Sequence, residues 1–242
     1  MIVWIVGSGH IGELPKGYPD KIYYANGGVF NKRNIPSRDV ASRVITTAHV
    51  LAKPSRTKSK ESEKVLDLLF ENGPYEFLWV RDTLSVEARD VVANSLAIKL
   101  SVKRATLNYD LIYDLLLYAL GRRLFFKSVF LYFFQRPMYF STRLLVGLAR
   151  GTSIRRLICN MRKMKVSTGV LALLVALYES NLDDTFYLLG VSAGESPYSY
   201  NGELAKRDNH IEADLIVLRR MVTDRLFKVI IQDRDLAGII NS

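Results

Sequence analysis

Cysteine occurs once in the 242 residues, at Cys159, which excludes an internal disulfide framework and suits a reducing cytoplasm. Hydrophobic residues make up 49% of the chain, yet no uninterrupted apolar run reaches the roughly 20 residues that span a bilayer, so an integral membrane protein is not expected. The opening Met1-Ile2-Val3-Trp4-Ile5-Val6-Gly7 lacks a basic leader region and runs directly into a strand pattern, so no signal peptide is expected. Acidic residues are scarce against basic ones, 24 to 34, and none occurs between Asp114 and Glu179. The resulting charge of +10 calls for an anionic partner: a nucleotide, a nucleic acid or an acidic lipid surface.

The length fits one α/β domain, or one such domain with a large insertion. Its organising stretch is Val166-Ser167-Thr168-Gly169-Val170 followed by the apolar run Leu171 to Tyr178 and a second run, Phe186 to Ser192. Small hydroxyl residues and a glycine ahead of helix formers supply oxygen partners for the free N–H groups of a helix start, and such a start seats phosphate. The second run has strand length, so the pair reads as a helix, a turn and a central parallel strand whose carboxyl end carries the loop from Ser192 to Tyr200. A plain core helix and strand would show the same pattern.

Upstream, the strand Ile2 to Val6 leads into Gly7-Ser8-Gly9-His10-Ile11-Gly12, a literal match to the dinucleotide-binding glycine pattern. The match fails its context. Pro15, Gly17 and Pro19 interrupt any helix opening at these glycines, and the strand Lys21 to Ala25 ends in Asn26-Gly27-Gly28 rather than an acid for a ribose. Gly7 and Gly9 are instead expected to let a nucleotide approach the backbone closely. Further strands are expected at Arg43 to His49, Tyr75 to Val80 and Leu226 to Ile231, the last closing the domain, with a helix from Ser62 to Glu71. Alternating strands and helices give a doubly wound parallel sheet whose ligands sit outside the carboxyl ends of the strands. Ser8, Asn26, Thr47, Arg81, Ser167 and Ser192 all fall near such ends and read as one site.

Glu87 to about Leu148 reads as helical and differs in composition. Arg122, Arg123, Lys127, Arg136 and Arg143 alternate there with Phe125, Phe126, Phe130, Tyr132, Phe133, Phe134, Tyr139 and Phe140, and Arg155, Arg156, Arg162, Lys163 and Lys165 extend the basic run. Basic residues among large apolar ones on short helices describe an element lying on an anionic membrane. A subdomain core with a basic rim, or a contact between copies in a homo-oligomer, is the other reading. Nucleic acid is not the expected partner, although aromatics can stack on bases. The expected division is a nucleotide-sugar-binding α/β domain, 1–87 and 161–242, around a basic helical insertion, 88–160, serving as lid, membrane contact or oligomer contact.

Near the end, Asn209 with Glu212 three residues on resembles a capping box and puts His210 at the first helical position. A helix N-terminus disfavours a further positive charge, so the imidazole stays neutral and able to accept a proton.

In this order the pieces resemble the bacterial sialyltransferases of glycosyltransferase family 42, which use CMP-sialic acid. The matching residues are the first strand with Gly7-Ser8-Gly9, Tyr24-Ala25-Asn26, Tyr75-Glu76, Ser167-Thr168-Gly169-Val170, Tyr187-Leu188-Leu189-Gly190-Val191, and His210 with Ala213-Asp214. The resemblance covers most of the chain outside about 88–160. It implies a GT-A-like single Rossmann-type domain with a lid and an inverting reaction that needs no metal or other cofactor. It further implies a CMP-sugar donor, sialic acid or a related CMP-activated sugar, and a cell-surface glycan or glycolipid acceptor, as in lipooligosaccharide or capsule synthesis. The enzyme would sit on the inner face of the cytoplasmic membrane. By resemblance, Gly7, Ser8, Gly9 and Asn26 line the donor site, Ser167, Thr168 and Gly169 hold ribose and phosphate, and His210 is the general base; Thr47, which stands where the family has an asparagine, and Ser192 join the donor site by their place near strand ends. Tyr198 and Tyr200 serve the departing phosphate, with Gly194 standing where the family has its first such tyrosine. The alternatives are a nucleotide-fold binding module without turnover and an NAD-type oxidoreductase.

Overall fold

A computed structural model describes residues 1–35, 40–47, 60–81, 97–98, 100–135, 137–149, 151–161, 163–181, 183–191, 210–223 and 227–241. Among these residues seven strands form one all-parallel sheet: β1 (Ile2–Val6), β2 (Lys21–Ala25), β3 (Ala41–Thr47), β4 (Phe77–Arg81), β5 (Lys103–Leu107), β6 (Thr185–Leu189) and β7 (Lys228–Ile231). Their spatial order is β5-β4-β3-β2-β1-β6-β7. The chain winds outward from β1 to β5 on one side, then returns to place β6 and β7 on the other. The arrangement is Rossmann-like, and its switch point lies between β1 and β6, where such sheets open a crevice at their carboxyl ends.

The strands are apolar on both faces because helices cover both. Val3, Ile5, Tyr23, Ala25 and Ile45 face one layer; Trp4, Val6, Ile22, Tyr24 and Val44 face the other. The second layer holds the 3₁₀ segment Asn26–Asn34 and α1 (Lys60–Glu71). The first holds α2 (Tyr109–Gln135), α4 (Ile154–Cys159), α5 (Thr168–Tyr178), α6 (Ile211–Thr223) and α7 (Arg234–Asn241), with α3 (Pro137–Ala149) following α2. From Val170 to Leu177 every residue of α5 is buried, which its unbroken apolar run requires.

Four sequence expectations need correction. The segment from Glu87 to Leu148 is not helical throughout, because Lys103–Leu107 is the edge strand β5, paired with β4 alone among the described strands. Only Leu107 is fully buried there, and a basic, sparsely apolar edge strand guards against further pairing while lacking a strong strand signature. The first half of α2 is part of the domain core through Ile112, Leu115, Leu116, Ala119 and Leu120. The run from Phe186 ends as a strand at Leu189, and β6 lies next to the edge strand rather than at the centre. The last strand does not close the chain: α7 follows it and buries Leu236 and Ile240.

Candidate functional site

The carboxyl edge of the sheet is built around the start of α5. Ser167 caps that helix, its Oγ accepting from the Val170 N–H at 3.3 Å. The Ser167 N–H in turn donates to Asp214 Oδ1 at 2.8 Å. The N–H groups of the first helical turn have no acceptor within the helix, so this end presents donors toward the strand ends.

From the strand side, Asn26 sits just past β2 in a left-handed conformation, φ 47°. Its Nδ2 donates to Thr168 Oγ1 at 3.1 Å, while its Oδ1 accepts from the hydroxyl of Thr46 at 3.1 Å. Two strand ends and the helix start are thereby tied together through one amide. Arg81, at the end of β4, is 5% exposed and donates from Nη1 to the Val166 carbonyl at 2.8 Å. Burial lowers its pKa, and the nearby Tyr109, Cys159 and Asp214 oppose that shift.

His210 stands immediately before α6, and its carbonyl accepts from the Asp214 N–H at 2.9 Å. One turn apart, His210 and Asp214 face the same turn, 165–167. The His210 Nδ1 lies 2.9 Å from the Lys165 carbonyl. A carbonyl can only accept, so Nδ1 carries the proton and the neutral ring keeps Nε2 as a base. Burial lowers the His210 pKa, the hydrogen bond to Lys165 opposes this, and the charges of Lys165 and Arg81 add to it.

The glycines do something other than expected. A Cβ at Gly7 would meet the Gly190 carbonyl oxygen at 2.4 Å, and one at Gly9 would meet it at 2.7 Å. Gly7 N–H donates to Leu189 O and Gly9 N–H to Gly190 O, both at 2.8 Å. Gly190 itself has φ +59° and packs against Gly9 O. The missing side chains at 7 and 9 are thus accounted for by backbone running against backbone at the switch point, and the buried Asn31 fastens the turn by donating to the carbonyls of Gly7 and Gly9 at 3.2 Å each. No helix opens within residues 7–20, as the prolines there require.

Of the expected site residues, the structure brings Asn26, Ser167, Thr168 and His210 to one edge, with Gly169 in the first turn of α5 and Gly7, Ser8 and Gly9 at the neighbouring β1 end. Gly169 packs against Val191, a Cβ there falling 3.0 Å from Val191 Cγ2. Thr47 ends β3, but its side chain lies outside the described residues, as do Ser192, Gly194, Tyr198, Tyr200 and Asn209; His210, expected at the first helical position, instead directly precedes the helix that starts at Ile211, its carbonyl accepting the first intrahelical bond. Sequence reasoning missed Thr46, Asn31 and Lys165 as site builders. It also used Asp214 only as part of a pattern, although its spacing from His210 put both on one helix face.

Among the described residues, no group of three or more His, Cys, Asp or Glu is placed to hold a metal ion, and no helix is long and apolar enough to cross a membrane. No family model, curated protein or solved structure matches this chain.

Proposed function

We propose that the protein is an inverting glycosyltransferase that moves sialic acid, or a related CMP-activated sugar, from its CMP donor to a cell-surface glycan or glycolipid acceptor. The observation that carries this reading is the His210 ring, held by the carbonyl of Lys165, two residues ahead of the Ser167 cap of α5, with Nε2 left as a base. In the reaction, Nε2 takes the proton of an acceptor hydroxyl as its oxygen attacks the anomeric carbon. The bond to the CMP phosphate oxygen breaks, and CMP leaves with its negative charge. The N–H groups of Thr168 and Gly169 and the hydroxyls of Ser167 and Thr168 receive that charge at a helix N-terminus.

In this reading the sheet is a GT-A-like donor domain, Asn26 positions Thr168, and Tyr198 and Tyr200 assist the phosphate from the loop after β6. No metal takes part. Asp214 and Arg81 hold the 165–167 turn and so position both the helix start and the base. The enzyme works at the cytoplasmic face of a membrane as a peripheral protein, its basic aromatic segment meeting acidic lipid. The test is CMP release from CMP-sialic acid in the presence of a glycan acceptor. His210→Ala is expected to lower turnover by about 100-fold or more while CMP affinity stays within about two-fold. Turnover retained in that variant would remove the histidine from the reaction.

A further inference from the structure

We propose that residues 122–135 of α2 together with α3 lie in the plane of an anionic lipid bilayer and form the surface that holds the protein there. The proposal rests on the peripheral location given above and names the element responsible.

At Gly121 the backbone of α2 leaves helical geometry, φ 68° and ψ 155°, and burial changes character beyond it. Phe125, Ser128 and Tyr132 anchor one side of the second half to the domain. The opposite side carries Phe126, Phe130, Leu131 and Phe134, one turn apart and 44–74% exposed. α3 continues the surface with Met138 at 84%, Leu145 at 68% and Val146 at 45%. Large side chains at these exposures, grouped on two adjoining helices, form a patch that water does not favour.

Two features select a bilayer as its occupant. Arg122, Arg123 and Lys127 are exposed in the first turns past Gly121, and on helical spacing Arg123 and Lys127 share the face of Phe130 and Phe134. Lowering the aromatic end into the acyl boundary therefore leaves these cations at the depth of lipid phosphates, where long basic side chains reach outward. A second copy of the chain pairing through the same patch would instead bring like charges together in a stretch with no carboxylate from 115 to 178. In addition, two hydroxyls on α3 satisfy themselves: Ser141 Oγ donates to Pro137 O and Thr142 Oγ1 to Met138 O, both at 2.8 Å. Hydroxyls bonded to their own helix enter an apolar phase at low cost. Fourteen helical residues extend about 21 Å, short of the roughly 30 Å hydrocarbon core, so the element lies in the interface.

The experiment is co-sedimentation of the full chain with phosphatidylcholine vesicles, with and without 30 mol% phosphatidylglycerol, at low and high salt. The wild type is expected to bind the anionic vesicles about ten-fold or more better than the neutral ones, and less as salt rises. Phe134→Glu/Met138→Glu, at exposed positions that leave the fold intact, should lower that binding about ten-fold or more. Arg123→Glu/Lys127→Glu should remove the preference for anionic lipid. Wild type that stays in the supernatant, binds both vesicles equally, or is indifferent to both double substitutions overturns the proposal. So does a solution dimer that Phe134→Glu/Met138→Glu converts to monomer without any vesicle binding. CMP binding measured on the same samples separates the two readings: vesicle binding without CMP binding upholds this surface and removes the transferase.

Discussion

The two ends of the sheet hold their polar side chains in different ways. At the amino end, Tyr23 donates to Glu179 at 2.5 Å, Arg43 pairs with the same carboxylate oxygen, and Glu76 lies 3.5 Å from Arg43. Burial, then the contact with Glu179, raises the Tyr23 pKa, so its phenol remains a donor; for Arg43 burial acts to lower the pKa, and the carboxylates of Glu179 and Glu76 oppose it. That cation also stands beside the end of α5, where a helix dipole favours positive charge. At the carboxyl end the chain instead presents a helix N-terminus, the hydroxyls of Thr46 and Thr168 joined through the Asn26 amide, and an imidazole whose second nitrogen stays basic. One end closes charge upon charge; the other gathers hydrogen-bond donors, hydroxyls and an imidazole around a helix start. A closed network stabilises, and an open one can meet a ligand.

This contrast predicts a dissociation between stability and binding. Glu179→Ala leaves the buried Tyr23 hydroxyl and the partly exposed Arg43 guanidinium without their carboxylate, and it should cost about 2 kcal/mol in denaturant unfolding, discounted for the solvent that still reaches Arg43. CMP affinity should not move, because the change is at the far end of α5. A loss of CMP binding matching the loss of stability would show that the two ends are not separate.

A smaller effect comes from pH. The His210 pKa is lower in the folded chain than in the unfolded one, so on acidification the unfolded chain takes up the proton first. The stabilising contribution of the neutral ring is complete above the unfolded value of about 6.5 and is lost as pH falls through the lower folded value. Thermal midpoints of wild type should therefore drop more steeply below about pH 6.5 than those of His210→Gln. The acid limb of kcat/KM should lie below the ordinary histidine range, since the base must be unprotonated. Parallel midpoint curves for the two proteins would mean that His210 does not carry this shift.

Much of the carboxyl end was legible in the sequence. Ser167-Thr168-Gly169 ahead of an apolar run announces a capped helix start, and the small and polar residues after each apolar run mark where strands stop. Asn26, beside two glycines, stood out for that reason. What stayed hidden was set by contacts between distant residues. Nothing local ties Lys165 to His210 or Arg81 to Val166, 45 and 85 residues apart. Gly7 and Gly9 in sequence suggest room for a nucleotide, whereas Gly190 fills that room, a contact that only the parallel pairing of β1 with β6 creates. The strand β5 escaped notice because an edge strand needs few apolar residues. Likewise α5 and the helices beyond Gly121 are both rich in apolar residues, and only their surroundings show that one is enclosed while the others face outward.

The most direct test of the donor site is a thermal-shift comparison of CMP, UDP and NADH at matched concentrations in EDTA. A ligand that binds only the folded chain adds about 2.7 kcal/mol at 100 times its Kd, so a specific donor nucleotide raises the midpoint measurably. CMP alone should do so. A rise with NADH alone, or with none of the three, would contradict a CMP-sugar site at the carboxyl edge of this sheet.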